Sequence, residues 1–306
     1  MESSPVIKTQ LTCKIELPKH YHINAILAFH QRDPQAIAEY VNEHSLTKGL
    51  LWNEQPACLT IHFQSGVAQA QLTLDGTVNN GDSALLSKYL HRLLGLTQAI
   101  EEFEQCFRNH PELGPMLRKQ TGLRIPTTFS VFEAISWAII GQQISVNAAV
   151  SIRRKLIRYT DISHSSGLLC YPNAERIAQL RVEELRNCGL SLTKAEALLT
   201  VSRMLSNGEL HFTDEFTVPP IDSLQRQLGA VRGIGLWTIN YVLLRGFGWL
   251  DASLHGDVAV RRGLQKLLAS PNKMSEKQVQ QWLEQFSPWR ALVAVHLWSL
   301  GSVMGA

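Results

Sequence analysis

The spacing of apolar residues divides the chain into two parts with different predicted structures. Up to about residue 108, short apolar runs alternate with polar positions, and turn residues such as Gln55-Pro56 and Ser65-Gly66 separate them. This pattern predicts strands at 6–17, 50–52, 57–64 and 67–74, and helices at 33–40, 83–94 and 97–108. Residues 1–108 are therefore expected to form a small α+β domain around one antiparallel sheet.

Beyond Leu96 the apolar residues recur with helical spacing, and strand patterns nearly vanish. Ser130 followed by Glu133 forms a capping box ahead of a helix that is expected to end at Gly141. Further helices are predicted at 145–159, 173–179, 182–187, 193–206, 221–231, 236–245, 258–268, 275–286 and 288–300. Residues 109–306 are thus predicted to be all-helical, and the fold class is mainly α.

The segment 222–257 contains a tight glycine turn that could bind a phosphate. Gly233 and Gly235 flank Ile234 between two predicted helices, and Ile234 is expected to lie between those helices. Glycines let a ligand approach the main chain closely, and the N–H groups that begin the second helix form a site for a phosphate. The hydroxyl of Thr238 lies in the first turn of that helix. A turn that merely joins two helices is the alternative interpretation.

Asp257 follows this segment and opens another predicted helix. An aspartate at that position is often only an N-cap, and the helix dipole there favours the ionised carboxylate. An ionised carboxylate also suits the cleavage of a glycosidic bond, because it can stabilise positive charge on the sugar or orient a water. Both roles are compatible with the sequence.

Composition and charge narrow the class of protein. The net charge is +3 and the pI is near 8.6, which is compatible with a polyanionic partner. The 5 cysteines are scattered and form no Cys-x-x-Cys pair, which favours a reduced intracellular protein without zinc or an iron–sulfur cluster. No apolar run has the length of a membrane span, and residues 1–5 do not resemble a signal peptide.

Several segments together carry a family resemblance. They are Leu228 to Asp257, Pro288-Trp289-Arg290, His296-Leu297-Trp298, Gly141-Gln142 and Ile26 to Phe29. The chain resembles the helix-hairpin-helix base-excision DNA glycosylases, and within them the DNA-3-methyladenine glycosylase II family. The resemblance implies two helical subdomains after the α+β domain, with double-stranded DNA lying across a cleft between them.

The resemblance also implies site residues. Asp257 would be the catalytic carboxylate, and Phe29, Trp237, Tyr241 and Trp298 would line a pocket for a flipped base. Cationic alkylated purines such as 3-methyladenine and 7-methylguanine stack well on electron-rich rings. Taken alone, an aromatic residue of this kind more often belongs to the hydrophobic core than to a pocket.

Other residues are expected to contact DNA. Gln143 stands where a relative carries a leucine wedge that fills the gap left by the flipped nucleotide, and a helix cap is the alternative. Arg245 could reach a phosphate or could be a solvated surface charge. The resemblance further implies one monovalent cation at the main-chain carbonyls of Gly229, Val231 and Ile234, and no organic cofactor.

The family pattern also indicates what is missing or changed. Members that cut the strand carry a lysine where this chain has Trp237, so hydrolysis without lyase activity is expected. Arg232 replaces a proline before the turn, and Val258 replaces an aromatic residue beside the pocket. We expect a monomeric, cytoplasmic enzyme if the source is bacterial. A glycosylase for oxidised or mismatched bases and a non-catalytic DNA-binding protein are the alternatives.

Overall fold

The computed structural model describes residues 8–212, 214 and 216–301, which form two large hydrophobic cores and one small cluster of Ala38, Ile157 and Tyr171. The first core lies on a five-stranded antiparallel sheet of order β1-β5-β4-β3-β2. Its strands are β1 (Lys8–Glu16), β2 (Glu39–Val41), β3 (Ser45–Trp52), β4 (Gln55–Gln64) and β5 (Val67–Asp75). Every second residue of β4 from Ala57 to Phe63 is buried, so one face of the sheet is apolar. Two helices, α1 (Ile23–His30) and α2 (Asp82–Leu93), contribute apolar residues to this core.

The second core is formed by the helices that follow α2. Its helices are α3 (Ile100–Phe107), α4 (Leu113–Lys119), α5 (Val131–Gly141), α6 (Val146–Thr160), α7 (Ala174–Ala178), α8 (Val182–Asn187), α9 (Leu192–Ser206), α10 (Ile221–Gly229), α11 (Leu236–Phe247), α12 (Val258–Leu267), α13 (Glu276–Glu284) and α14 (Arg290–Gly301). The mainly α fold class, with an antiparallel sheet at the start of the chain, is confirmed.

The chain first enters the helical core between Leu96 and Ile100, although Phe129 still belongs to the core of the sheet. Ile100 and Phe103 of α3 pack into the helical core, whereas Leu96 packs against the core of the sheet. The helical core therefore begins with α3, and the domain boundary at 108/109 stays a prediction. None of the helices in the described part of the chain is both long and apolar enough to cross a membrane.

Local structure differs from the sequence-based expectation in several places, and the sequence predicted neither α1 nor β2. The predicted helix 33–40 is wrong, because the Asp33 carboxylate accepts the N–H of Gln35 in a turn and Ala36 has a φ of 48°. The strand predicted at 50–52 is longer and begins at Ser45. Helix α4 was not predicted from the sequence. Positions 6 and 7 of the first predicted strand lie outside the described residues.

Candidate active site

The carboxylate of Asp257 lies at the N-terminus of α12, where it caps the helix. Its Oδ1 accepts the main-chain N–H groups of Ala259 at 2.8 Å and Val260 at 3.0 Å. Two indoles complete the arrangement: Trp298 Nε1 donates to Oδ1 and Trp237 Nε1 donates to Oδ2, both at 3.1 Å. Oδ1 thus accepts three hydrogen bonds and Oδ2 accepts one, so Oδ2 retains lone-pair capacity toward a ligand.

This carboxylate lines an open cleft of about 790 Å³ between α5, α6, α11, α12 and α14. Trp237, Tyr241 and Trp298 line the same cleft, and the rings of Trp237 and Tyr241 lie 5.3 Å apart between centroids. Asp257 is the one acidic residue among the described residues of the lining. The cleft therefore combines a fixed anion with a set of aromatic rings.

Phe29 reaches this region from the sheet domain but lies in a smaller recess beside the cleft. Arg32 and Trp137 line both spaces. Phe29 is thus the predicted pocket residue that does not line the main cleft. Trp137, which the sequence did not single out, takes a place in the cleft wall.

A cluster of buried ion pairs links the end of α1 to α5. Lys48 Nζ donates to Glu39 Oε1 at 2.6 Å and to Glu133 Oε1 at 2.7 Å, and Arg153 pairs with Glu133 at 2.9 Å. His30, next to Phe29, contacts Glu39 at 2.8 Å. Burial opposes ionisation of Glu133, but the Lys48 and Arg153 charges hold its pKa below the usual value. The cluster fixes the end of α1, and with it Phe29, against the helical domain.

The predicted DNA contact of Arg245 is corrected by its position. Its side chain is buried, and Nη1 donates to the carbonyl of Pro126 at 2.7 Å. Its Cζ lies 4.5 Å from the ring centroid of Phe29 and 5.1 Å from that of Trp298. Arg245 thus lies at the floor of the cleft and not on the surface where a phosphate would lie, because α11 packs this face inward.

The turn between α10 and α11 uses its two glycines differently. Gly233 has a φ of 92°, a conformation that favours glycine, whereas Gly235 has a φ of −105°. A Cβ on Gly235 would meet nothing within 4 Å, so neither the backbone nor the packing of the chain demands glycine there. Ile234 is buried in the helical core, as expected from the sequence.

The same turn is tied to the loop after α5 by a side chain that sequence reasoning missed. Gln142 Nε2 donates to the Gly233 carbonyl at 2.9 Å and to Thr238 Oγ1 at 2.8 Å. Thr238 is buried, so its hydroxyl lies inside this contact and the expectation of a hydroxyl facing a phosphate is corrected. Lys194 Nζ supports the loop from α9 by donating to the carbonyls of Ile140 and Gln142. Residue type and spacing carry no signal for these contacts.

Gln143 follows in that loop and lies at the mouth of the cleft. It is exposed and has a φ of 56°, and Ile144 beside it is also exposed. Both line the cleft. The loop is therefore a projecting element that the Gln142 contacts hold against the turn, and the wedge role of Gln143 stays a prediction.

Comparison with known families assigns both parts of the chain. Residues 136–288 match the family described as "HhH-GPD superfamily base excision DNA repair protein", and this match spans half of the chain. Residues 12–130 match the family described as "AlkA N-terminal domain". Residues 136–288 include most of the cleft lining, the Gly233–Gly235 turn and Asp257, whereas Arg32 and Trp298 of the cleft lie outside this range.

Individual proteins show the same likeness. The chain is 24% identical over 289 residues to a DNA-3-methyladenine glycosylase of Bacillus subtilis, covering 93% of this chain and 95% of that protein. It is 30% identical over 189 residues to DNA-3-methyladenine glycosylase 2 of Escherichia coli, covering 61% and 63%. The fold is similar to that of a 3-methyladenine DNA-glycosylase from Archaeoglobus fulgidus, with a TM-score of 0.79, 22% identity and coverage of 96% and 100%.

Proposed function

Since the chain belongs to the HhH-GPD superfamily of base excision DNA repair proteins, we propose that it hydrolyses the N-glycosidic bond of alkylated bases in double-stranded DNA. The observation that carries the proposal is the Asp257 carboxylate, held by four hydrogen bonds on the wall of an aromatic cleft. The similarity to proteins named DNA-3-methyladenine glycosylase supports alkylated bases as the substrate class.

The reaction follows from the geometry around Asp257. A base turned out of the duplex would stack on the rings that line the cleft, and its sugar would then lie near the carboxylate. As the bond from C1′ to the base nitrogen breaks, positive charge grows on the sugar. The ionised carboxylate stabilises this charge through Oδ2, the oxygen with a single described donor.

The wall of the cleft supports hydrolysis without strand cleavage. Among its described residues are arginines but no lysine, and Trp237 occupies the position where the strand-cutting relatives carry the amine. A Schiff base with the sugar needs such an amine. Water is therefore the proposed nucleophile.

The Gly233–Gly235 turn would hold the DNA backbone. The open space beside Gly235 leaves room for a phosphate to approach the main-chain N–H groups that begin α11. The projecting Gln143 would enter the gap left by the flipped nucleotide. Such binding needs one copy of the chain, and we infer a monomer acting at chromosomal DNA.

The turn also offers oxygen ligands for the monovalent cation implied by the family resemblance. The Val231 carbonyl accepts the Ile234 N–H at 3.0 Å and keeps a second lone pair, and neutral main-chain oxygens suit such a cation. The carbonyls of Gly229, Val231 and Ile234 would hold the ion. Bound there, it would supply positive charge beside the proposed phosphate site.

The decisive experiment compares base release from methylated duplex DNA by the wild type and by Asp257→Asn. The amide keeps a cap for α12 but removes the charge, so DNA binding should persist while release slows by at least about a hundredfold. Asp222→Asn, which changes an exposed aspartate of α10, is the matched control and should release bases at the wild-type rate. Wild-type release rates in folded Asp257→Asn would refute the assignment.

A further inference from the structure

Two guanidinium groups lie over aromatic rings of the cleft and of the recess beside it. Arg32 Cζ lies 4.0 Å from the ring centroid of Phe29 and 5.0 Å from that of Trp137. Arg245 Cζ lies 4.5 Å from Phe29 and 5.1 Å from Trp298. Trp137 and Trp298 of the cleft, and Phe29 of the recess beside it, are thus already engaged by cations of the protein itself.

Neither guanidinium forms a salt bridge with any residue that the structure describes. Asp33 follows Arg32 in the sequence, but its carboxylate pairs with Arg154 at 2.6 Å. Arg245 is only 6% exposed, and its Nε has no hydrogen-bond partner among the described residues. Burial lowers the pKa of Arg245 to about 10, opposed by Tyr241 and assisted by the charge of Arg32. Arg245 therefore remains cationic at neutral pH despite its burial.

The charge balance of the cleft is consequently positive. Arg32, Arg245 and Arg262 line it, against Asp257 as the one carboxylate among its described residues. Asp257 is held by indole and main-chain N–H groups, which compensate its charge further. A cationic base entering this cleft meets like charges, whereas a neutral base meets N–H donors.

Bond cleavage accentuates this difference. When the bond from C1′ to the base nitrogen breaks, both electrons stay with the base, and the oxygen of water forms the new bond to C1′. A cationic alkylpurine leaves as a neutral base, and the proton released by water goes to solvent. A neutral base leaves as an anion until it takes up that proton. Guanidinium donors stabilise that anion and offer nothing comparable to a neutral leaving base.

We propose that Arg32, backed by Arg245, sets the charge selectivity of this cleft by favouring damaged bases that are uncharged in DNA. Arg32 is the accessible member of the pair, since it is partly exposed and lines the cleft directly. Arg245 is a positioning residue: it packs against the ring of Phe29, and its buried charge makes the electrostatic potential at the floor of the cleft positive. The inference rests on the proposed glycosylase function and adds a specificity determinant to it.

The test measures single-turnover excision from two duplexes, one with a cationic 7-methylguanine and one with a neutral 1,N6-ethenoadenine. Arg32→Gln should slow excision of the neutral base by about tenfold or more, the scale of one lost charge-assisted hydrogen bond, and leave the cationic base unchanged or faster. Arg158→Gln, which removes an exposed arginine bonded to Gln35 away from the cleft, should leave the ratio of the two rates at the wild-type value.

The outcomes distinguish a failure of the Arg32 role from a failure of the proposed function. Equal slowing on both duplexes would show that Arg32 only supports the wall of the cleft, and would overturn the inference alone. Release of neither base by the wild type would overturn the proposed function itself. Arg32→Lys adds a second measure: it keeps the charge without the planar fork, so it should retain part of the preference for the neutral base.

Discussion

Removing the side chain of Gln142 should uncouple the loop after α5 from the Gly233–Gly235 turn. The two bonds that Gln142 donates, to the Gly233 carbonyl and to Thr238 Oγ1, contribute about 0.5–1.5 kcal/mol each. Gly233 is exposed, so water can replace the first bond, whereas Thr238 is 2% exposed and its oxygen is poorly accessible to water. Gln142→Ala should therefore lower the free energy of unfolding by about 1.5–2.5 kcal/mol, mostly through Thr238.

A double-mutant cycle isolates that contact. Thr238→Val removes the acceptor with little change of shape, and the coupling energy between Gln142→Ala and Thr238→Val should be about 1 kcal/mol in urea unfolding. Gln143→Ala is the control, because that side chain is exposed and should change stability by less than about 0.5 kcal/mol. Strictly additive effects of the two changes, within about 0.3 kcal/mol, would refute the bridging role of Gln142.

Three further predictions concern DNA and pH. Gln143→Ala should slow excision from duplex DNA much more than from single strands, because only a duplex requires the gap to be filled; equal slowing would rule out a wedge. Gly235→Asp should weaken binding to all DNA alike in salt titrations, because it places an anion at the proposed phosphate site; a change confined to lesion preference would contradict this. Burial lowers the pKa of His296 from 6.5 to about 3, so below pH 6.5 the unfolded chain binds a proton that the folded chain does not. Stability should therefore fall by about 2 kcal/mol between pH 6.5 and 4.5, and urea unfolding of His296→Gln should lack that part of the loss; an unchanged pH slope would contradict it.

The sequence alone was sufficient where structure depends on neighbours along the chain. The alternation in β4, the Ser130 cap of α5 and the turn at Gly233 all follow from local patterns, and the structure contains each of them. Asp257 belongs to the same class, since it caps α12 through N–H groups two and three residues ahead. Such features are readable because the interacting groups are fixed by strand or helix geometry.

Local patterns were misleading where packing between domains decides the backbone. Residues 33–40 carry helical spacing, yet Asp33 pairs with Arg154 of α6, and Glu39 joins the buried ion pairs with Lys48. Arg245 looked like a surface charge, because its sequence position does not reveal that its face of α11 points toward Phe29. A buried charge is tolerated only beside specific partners, and those partners come from distant segments.

The hydrogen bonds around Asp257 depend on tertiary structure. Asp257 receives the indole N–H of Trp237 from 20 residues before it and that of Trp298 from 41 residues after it. Family likeness named these residues, but only the packing of α11, α12 and α14 shows that both indoles donate to one carboxylate, and to different oxygens. Helix periodicity determines which residues share a face, whereas the distances between faces depend on side-chain packing across the whole core.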